Sequence, residues 1–198
     1  MLASFTRTGS AAASSFKAAE KSSSDENLVA RIGRGEQLAM RALFARYQTV
    51  LFRWLRSFVH DEALAEDLLS DVFLDVWRQA AAFEGRSSVS TWLFAIARYK
   101  ALSARRRRTD AALDDTVAAS IPDASDDPEV TLQKKNRSEL LRQAIAELSP
   151  EHREILDLVY YHDKSVKEAA EIVGIGEPTV KTRMFYARKR LAQLVEAA

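Results

Sequence analysis

No proline occurs before Pro122, and between Asp25 and Arg108 apolar residues recur every three or four positions. That spacing lines one face of a helix, and with so few breakers each helix runs until glycine or a polar turn stops it. The chain is therefore expected to be all-α. The pattern predicts a short helix over Asp25–Ile32, broken by Gly33-Arg34-Gly35. A longer one follows over Glu36–Val59, and a third over Glu62–Ala82. A loop with Gly85 and a serine cluster separates these from a helix starting near Thr91 and reaching the arginine run Arg105–Arg108.

Composition changes at Thr109. From there to Thr131 the chain carries Asp114, Asp115, Asp123, Asp126, Asp127 and Glu129 with Pro122 and Pro128, and no apolar period is sustained. Such a stretch reads as a flexible acidic linker. Helical patterning resumes near Leu132. Ser149-Pro150 is a cap with proline in the first turn, and Ser165-Val166-Lys167-Glu168 has the spacing of a capping box. The expected organisation is a disordered tail over 1–24, a helical domain over 25–108, the linker over 109–131 and a second helical domain over 132–198, each domain with its own core. The Ala- and Ser-rich tail overlaps in composition with organellar transit peptides; a plain bacterial tail is the simpler reading.

Net charge does not announce a partner, because 29 Lys+Arg oppose 28 Asp+Glu. Where the charges sit says more. With no cysteine there is no disulfide framework, thiol nucleophile or thiolate zinc site. No apolar run approaches the roughly 18 residues that span a bilayer, so no membrane partner is expected and a cytoplasmic location fits. No Gly-rich phosphate loop, nucleophile elbow or His–carboxylate cluster is present, which argues against an enzyme and against a cofactor. His60, His152 and His162 are isolated beside helix ends, where surface or capping roles are expected. Asp67, Asp71 and Asp75 have helical spacing, but the third rotates away and no histidine completes a metal set.

The strongest local pattern lies near the carboxy terminus. A short helix bearing Ala169, Ala170 and Val173, a turn at Gly174-Ile175-Gly176 and a basic final helix from Glu177 form a helix-turn-helix. On a 100° wheel Val180, Met184, Ala187, Leu191 and Leu194 form one apolar stripe. Lys181, Thr182, Phe185, Tyr186 and Lys189 lie opposite, flanked by Arg183, Arg188 and Arg190. A merely solvated face has no use for two aromatics. Reading a major groove wants cations for guanine, an apolar group for the thymine methyl, and flanking arginines for phosphates. All three are present.

Two further faces stand out. The helix from Glu62 has Ala65, Leu68, Leu69, Val72 and Val76 as its core stripe, with Asp67, Asp71, Leu74 and Arg78 outside it. A leucine among acids suits a protein-binding patch with an apolar anchor and a charged rim. In the next helix Trp92, Leu93 and Ile96 share the inner side, with Phe94, Arg98 and Arg105 on the outer one. Aromatic and arginine side chains together suit unpaired bases and phosphates. The alternative, that these aromatics are core and the arginine run a solvated tail, stays open on sequence alone.

Three segments resemble the sigma-70 superfamily. Ala65 to Trp77 is similar to the polymerase-binding helix of region 2. Thr91-Trp92-Leu93-Phe94-Ala95-Ile96-Ala97-Arg98 resembles that region's aromatic signature. Glu168-Ala169-Ala170, Gly174-Ile175, Thr179-Val180-Lys181-Thr182-Arg183 and Ala187-Arg188 resemble the region 4 reader. Their order, the short linker and the lack of a region 1 domain match the extracytoplasmic-function group. The resemblance implies a promoter-reading subunit of bacterial RNA polymerase that serves a stress or envelope response. Asp67, Ser70, Asp71 and Leu74 would meet the β′ clamp helices. Val89, Thr91, Trp92, Phe94, Arg98, Tyr99 and Arg105 would open the −10 element. The second domain would bind the β flap and read the −35 element as duplex through Lys181, Thr182, Arg183, Phe185, Tyr186, Arg188 and Lys189. The acidic linker would thread towards the RNA exit path, and an anti-sigma factor would mask both domains. Departures from the usual pattern are Ser70, Val89, Tyr99, Pro178 and Tyr186, so the promoter sequence does not carry over. A free-standing helix-turn-helix repressor or activator is the alternative; it would have no use for a face suited to single strands.

Overall fold

The computed structural model describes residues 24–112 and 143–196. Most of the tail and of the acidic stretch lies outside the described residues. Among the described residues all regular structure is helical. The first half comprises α1 (Asp25–Ile32), α2 (Gln37–Val59), α3 (Glu62–Gln79) with a 3-10 turn at Ala80–Ala82, and α4 (Val89–Ala112). The second comprises a helical turn at 143–146, α5 (Pro150–Leu156), a π-helical turn (Asp157–Tyr161), α6 (Val166–Val173) and α7 (Glu177–Glu196).

Caps set the boundaries. Ser24, assigned to the tail by composition, caps α1 by accepting the Asn27 N–H at 3.2 Å. Asp61 caps α3 and Ser149 caps α5, each through its side chain. Ser88 caps α4 by accepting the Thr91 N–H at 3.2 Å, so that helix starts at Val89 and extends to Ala112, past the arginine run into the stretch read as linker. The Ser165–Glu168 capping box is formed in both directions. Gly33 has an ordinary φ of −59°; its role is space, since a Cβ there would stand 2.9 Å from the Ala81 Cα.

In the first half α2 packs against α1, α3 and α4, and α3 against α4. Trp54 of α2 lies at the centre, 1% exposed, with its ring 5.2 Å from Phe58 and 5.7 Å from Phe94. Asp25 ties α1 to α2 through Arg46 at 2.6 Å and through the Tyr47 hydroxyl. In the second half α7 packs on α5 and α6.

The expectation of two separate cores is corrected. Helix α6 lies along α4, and Ile155, Leu158, Ala169, Ala170, Ile172, Val173 and Val180 join the apolar cluster of the first half. Among the described residues, Leu148, Leu156 and Ala187, with Leu191 beside them, form a distinct small cluster. The two helical domains are docked. The physical reason is that α6 is apolar on more than the face that α7 covers: besides the expected Ala169, Ala170 and Val173, Ile172 is also buried.

Candidate nucleic-acid and polymerase interfaces

Helix α7 is held by its turn. Gly174 adopts φ 72°, ψ 38°, the left-handed conformation that glycine tolerates without cost, and its N–H donates to the Ala170 carbonyl at 2.8 Å. The Ile175 N–H reaches the same carbonyl at 3.1 Å while its side chain packs on the core. With the turn fixed, Val180 and Ala187 are buried, and Met184, Leu191 and Leu194 partly so. Lys181, Thr182, Phe185, Tyr186, Arg188 and Lys189 are exposed, and Arg183 is half-buried beside them. Phe185 and Tyr186 are 57% and 55% exposed and meet edge to face at 5.5 Å. The Thr182 hydroxyl donates to the Pro178 carbonyl at 2.9 Å, leaving its oxygen as acceptor. The Arg188 Nε–H donates to the Met184 carbonyl at 3.3 Å, with the rest of the guanidinium outward. Among the described residues no carboxylate pairs with Lys181 or Lys189. The helix thus presents a cationic and aromatic ridge.

On α3, Asp67, Ser70, Asp71 and Leu74 are all exposed, Leu74 to 46%. The Ser70 hydroxyl turns back onto the Glu66 carbonyl at 3.1 Å and offers little to a partner. Asp75 leaves this face altogether and pairs with Lys100 of α4 at 2.8 Å, bracing the two helices. Trp77, one turn beyond Leu74 and 37% exposed, extends the apolar anchor; the sequence reading quoted it only as part of a motif. Its signal was the i, i+3 spacing from Leu74.

The outer face of α4 departs from expectation. Phe94, placed outward by the wheel, is 1% exposed, with its ring 5.0 Å from His162 and 4.9 Å from the Lys164 ammonium. Its ring also meets Trp54 of the first half edge to face at 5.7 Å, so it is enclosed between the first half's core and the second half. Thr91 is 1% and Val89 0% exposed. Arg98 is engaged by Glu154, Nε to Oε1 at 2.6 Å and Nη2 to Oε2 at 3.4 Å. Trp92 packs on Phe83 at 4.7 Å. Tyr99 stays 67% exposed, and Arg105 lies 5.5 Å above the Phe58 ring. His162, expected near the surface, has only 8% of its side chain exposed. Burial lowers the Lys164 pKa, against the pull of Glu168 and Asp163. Burial also raises that of Glu168, but hydrogen bonds from the Ser165 backbone and hydroxyl, Thr91 and Ser88 outweigh it and hold the carboxyl at about 2.

Among the described residues no helix is long and apolar enough to cross a membrane. Residues 43–110 match the Sigma-70 region 2 family, and residues 138–191 match Sigma-70 region 4. The ECF RNA polymerase sigma factor SigL of Mycobacterium tuberculosis is 32% identical over 158 residues, covering 79% of this chain and 88% of that protein. SigM of Bacillus subtilis, another ECF RNA polymerase sigma factor, is 30% identical over 154 residues, 77% of this chain and 92% of its own. Among solved structures, CnrH in complex with the cytosolic domain of CnrY superposes with a TM-score of 0.64 at 26% identity, covering 88% of this chain and 99% of that one. The sigma factor RpoE of Bartonella quintana, in complex with the anti-sigma factor NepR, gives 0.63 at 26% identity over 77% and 94% of the two chains. With both regions present in order, and with this similarity along most of its length, the chain belongs to the ECF family of RNA polymerase sigma factors.

Proposed function

We propose that this chain binds a bacterial RNA polymerase core and directs it to promoters, acting as a specificity subunit with no catalysis of its own. The observation that carries the reading is the pairing, on one chain, of the cationic-aromatic ridge of α7 with the acidic, Leu74-bearing face of α3. The ridge supports duplex reading at the −35 element by Lys181, Thr182, Arg183, Phe185, Tyr186, Arg188 and Lys189. The α3 face supports docking on the β′ clamp helices through Asp67, Asp71 and Leu74, with Ser70 at its margin. The α4 set of Val89, Thr91, Trp92, Phe94, Arg98, Tyr99 and Arg105 would hold the opened −10 element once the second half has moved away. The complexes of CnrH with CnrY and of RpoE with NepR support a further partner, an anti-sigma factor that keeps the chain idle until a stress signal arrives. Such work belongs in the cytoplasm.

Reconstituted transcription tests the reading. Bacterial core polymerase, the purified chain and a genomic promoter pool should yield transcripts that core alone does not give. Asp71→Arg should weaken core capture and lower transcript yield at least several-fold with an unchanged circular dichroism spectrum, because it sets a cation against a basic partner surface. Duplex binding without any dependence on core would favour the free-standing repressor instead.

A further inference from the structure

Where α2 ends, guanidinium groups from both halves crowd one imidazole. His60 closes α2 with φ 56°, ψ 29°, its N–H donating to the Arg56 carbonyl at 2.9 Å. That left-handed backbone is uncommon for a residue with a Cβ, and it passes the chain directly into Asp61, the cap of α3. Burial first, then the charges of Arg153 and Arg105, lower the His60 pKa. Arg105 comes from α4, where its guanidinium lies 5.5 Å above the Phe58 ring; Arg153 comes from α5 in the other half. On the turn after Arg105, Arg108 reaches Asp61 Oδ2 at 3.3 Å. The acid at hand is already engaged, since Asp61 Oδ1 also accepts the Leu64 N–H at 3.0 Å.

Arg153 is the least satisfied member. Its Nη2 donates to the Ala146 carbonyl at 2.6 Å and the Leu148 carbonyl at 3.2 Å. Its Nε–H is buried with no acceptor, and no carboxylate pairs with it among the described residues. A buried donor of this kind calls for an acceptor from outside the chain. The local charge calls for the same thing. Arg56 in the last turn of α2 joins Arg105, Arg108 and Arg153, and only Asp61 and Glu62 at the start of α3 oppose them. Four cations against two carboxylates leave room for a dianion. Guanidinium forks match the oxygens of phosphate in both geometry and charge, as a chloride ion does not. We propose that the junction of His60, Arg105, Arg108 and Arg153 binds a small phosphate-bearing dianion, either inorganic phosphate or a phosphate monoester. Because Arg153 stands on α5 and the other three in the first half, the bound ion bridges the two halves. This site lies beyond the promoter-reading role and shares only Arg105 with it.

The chain has 3 histidines, so each imidazole can be followed separately by proton NMR. His60→Asn identifies the His60 signal, and asparagine tolerates the left-handed backbone, so the turn is kept. The full chain is titrated in chloride and again with inorganic phosphate replacing part of it at constant ionic strength. Phosphate should move the His60 midpoint upward by at least about half a pH unit, because a bound dianion favours the charged imidazole. The midpoints of His152 and His162 should stay in place. Phosphate should also raise the thermal midpoint of the wild type more than that of His60→Asn or Arg153→Gln. That comparison is needed because phosphate stabilises folded chains in general by exclusion from their surface. If Arg153→Gln does not melt cooperatively, Arg108→Gln takes its place. A His60 midpoint that ignores phosphate overturns the proposal, as does an equal thermal gain in the wild type and the variants. A short DNA duplex, added in place of phosphate, separates the two sources of the group. A His60 midpoint that follows the duplex and not inorganic phosphate gives the junction to the DNA backbone and overturns the small-anion site.

Discussion

Lys181 lies in the first turns of α7 with its ammonium in solvent, and Arg188 lies two turns on with one nitrogen anchored to its own helix. The first is placed to reach base edges and the second to rest on the backbone. Lys181→Ala should cost about 1–3 kcal/mol of −35 binding and relax the preference at one or two positions. Arg188→Ala should weaken all sequences alike and reduce the salt slope by about 1. A salt titration across −35 point variants checks both; the reverse pattern would mean that α7 docks in another orientation. The ridge was readable because one helix and its own stripe decide which way Lys181 and Phe185 point. Phe94 was not. The wheel turned its ring outward, whereas it packs on Trp54 of α2 on one side and on His162 and Lys164, far along the chain, on the other.

Gly33 joins α1 to its neighbours at a point where backbone meets backbone. Gly33→Ala should destabilise the first half by about 1–3 kcal/mol, since the Ala81 main chain cannot rotate aside as a side chain would. A lowered thermal midpoint checks this, and an unchanged one would show that the 3-10 turn yields freely. Helix starts were legible from Ser149 and Ser165 because a cap is a local side-chain bond with a known spacing, whereas the caps Ser24 and Asp61 went unread because no Pro or capping-box partner follows them. The π-helical turn at Asp157–Tyr161 was not legible either, since its wider hydrogen-bond pattern has no residue signature. That turn nevertheless determines which aromatics stay out: Tyr160 and Tyr161 are 55% and 68% exposed while His162 is drawn in.

For the whole molecule, the depressed carboxyl of Glu168, held down first by its own capping box with Ser165 and then by Thr91 and Ser88 across the two halves, gives stability an acid limit. Its ordinary value is 4.5 and its folded value about 2. A group whose pKa falls on folding contributes stability that is full above about 4.5 and fades as pH drops towards 2. Denaturation of wild type and Glu168→Gln across that interval should show the gap between them closing as acid is added; a constant gap would mean that the carboxylate charge adds nothing. Two all-helical units were legible from the composition break at Thr109 and from separate cap signals. Their common core was not, because apolar residues such as Ile172 and Leu158 do not announce whether their neighbours are near or far in sequence.

The contact between the two docked halves also has a timetable. Its contacts join residues between 56 and 100 positions apart, from Arg98–Glu154 to Ser57–Asp157. At roughly 5–20 residues per second on the ribosome, the later partner is made about 3–20 s after the earlier one. Until the second half has been synthesised, every newborn molecule carries α4 without the Glu154 partner of Arg98 and without the His162 and Lys164 side of the Phe94 ring covered. A cell that needs this protein silent from birth must therefore restrain it during translation, or tolerate a brief window in which each new copy is open.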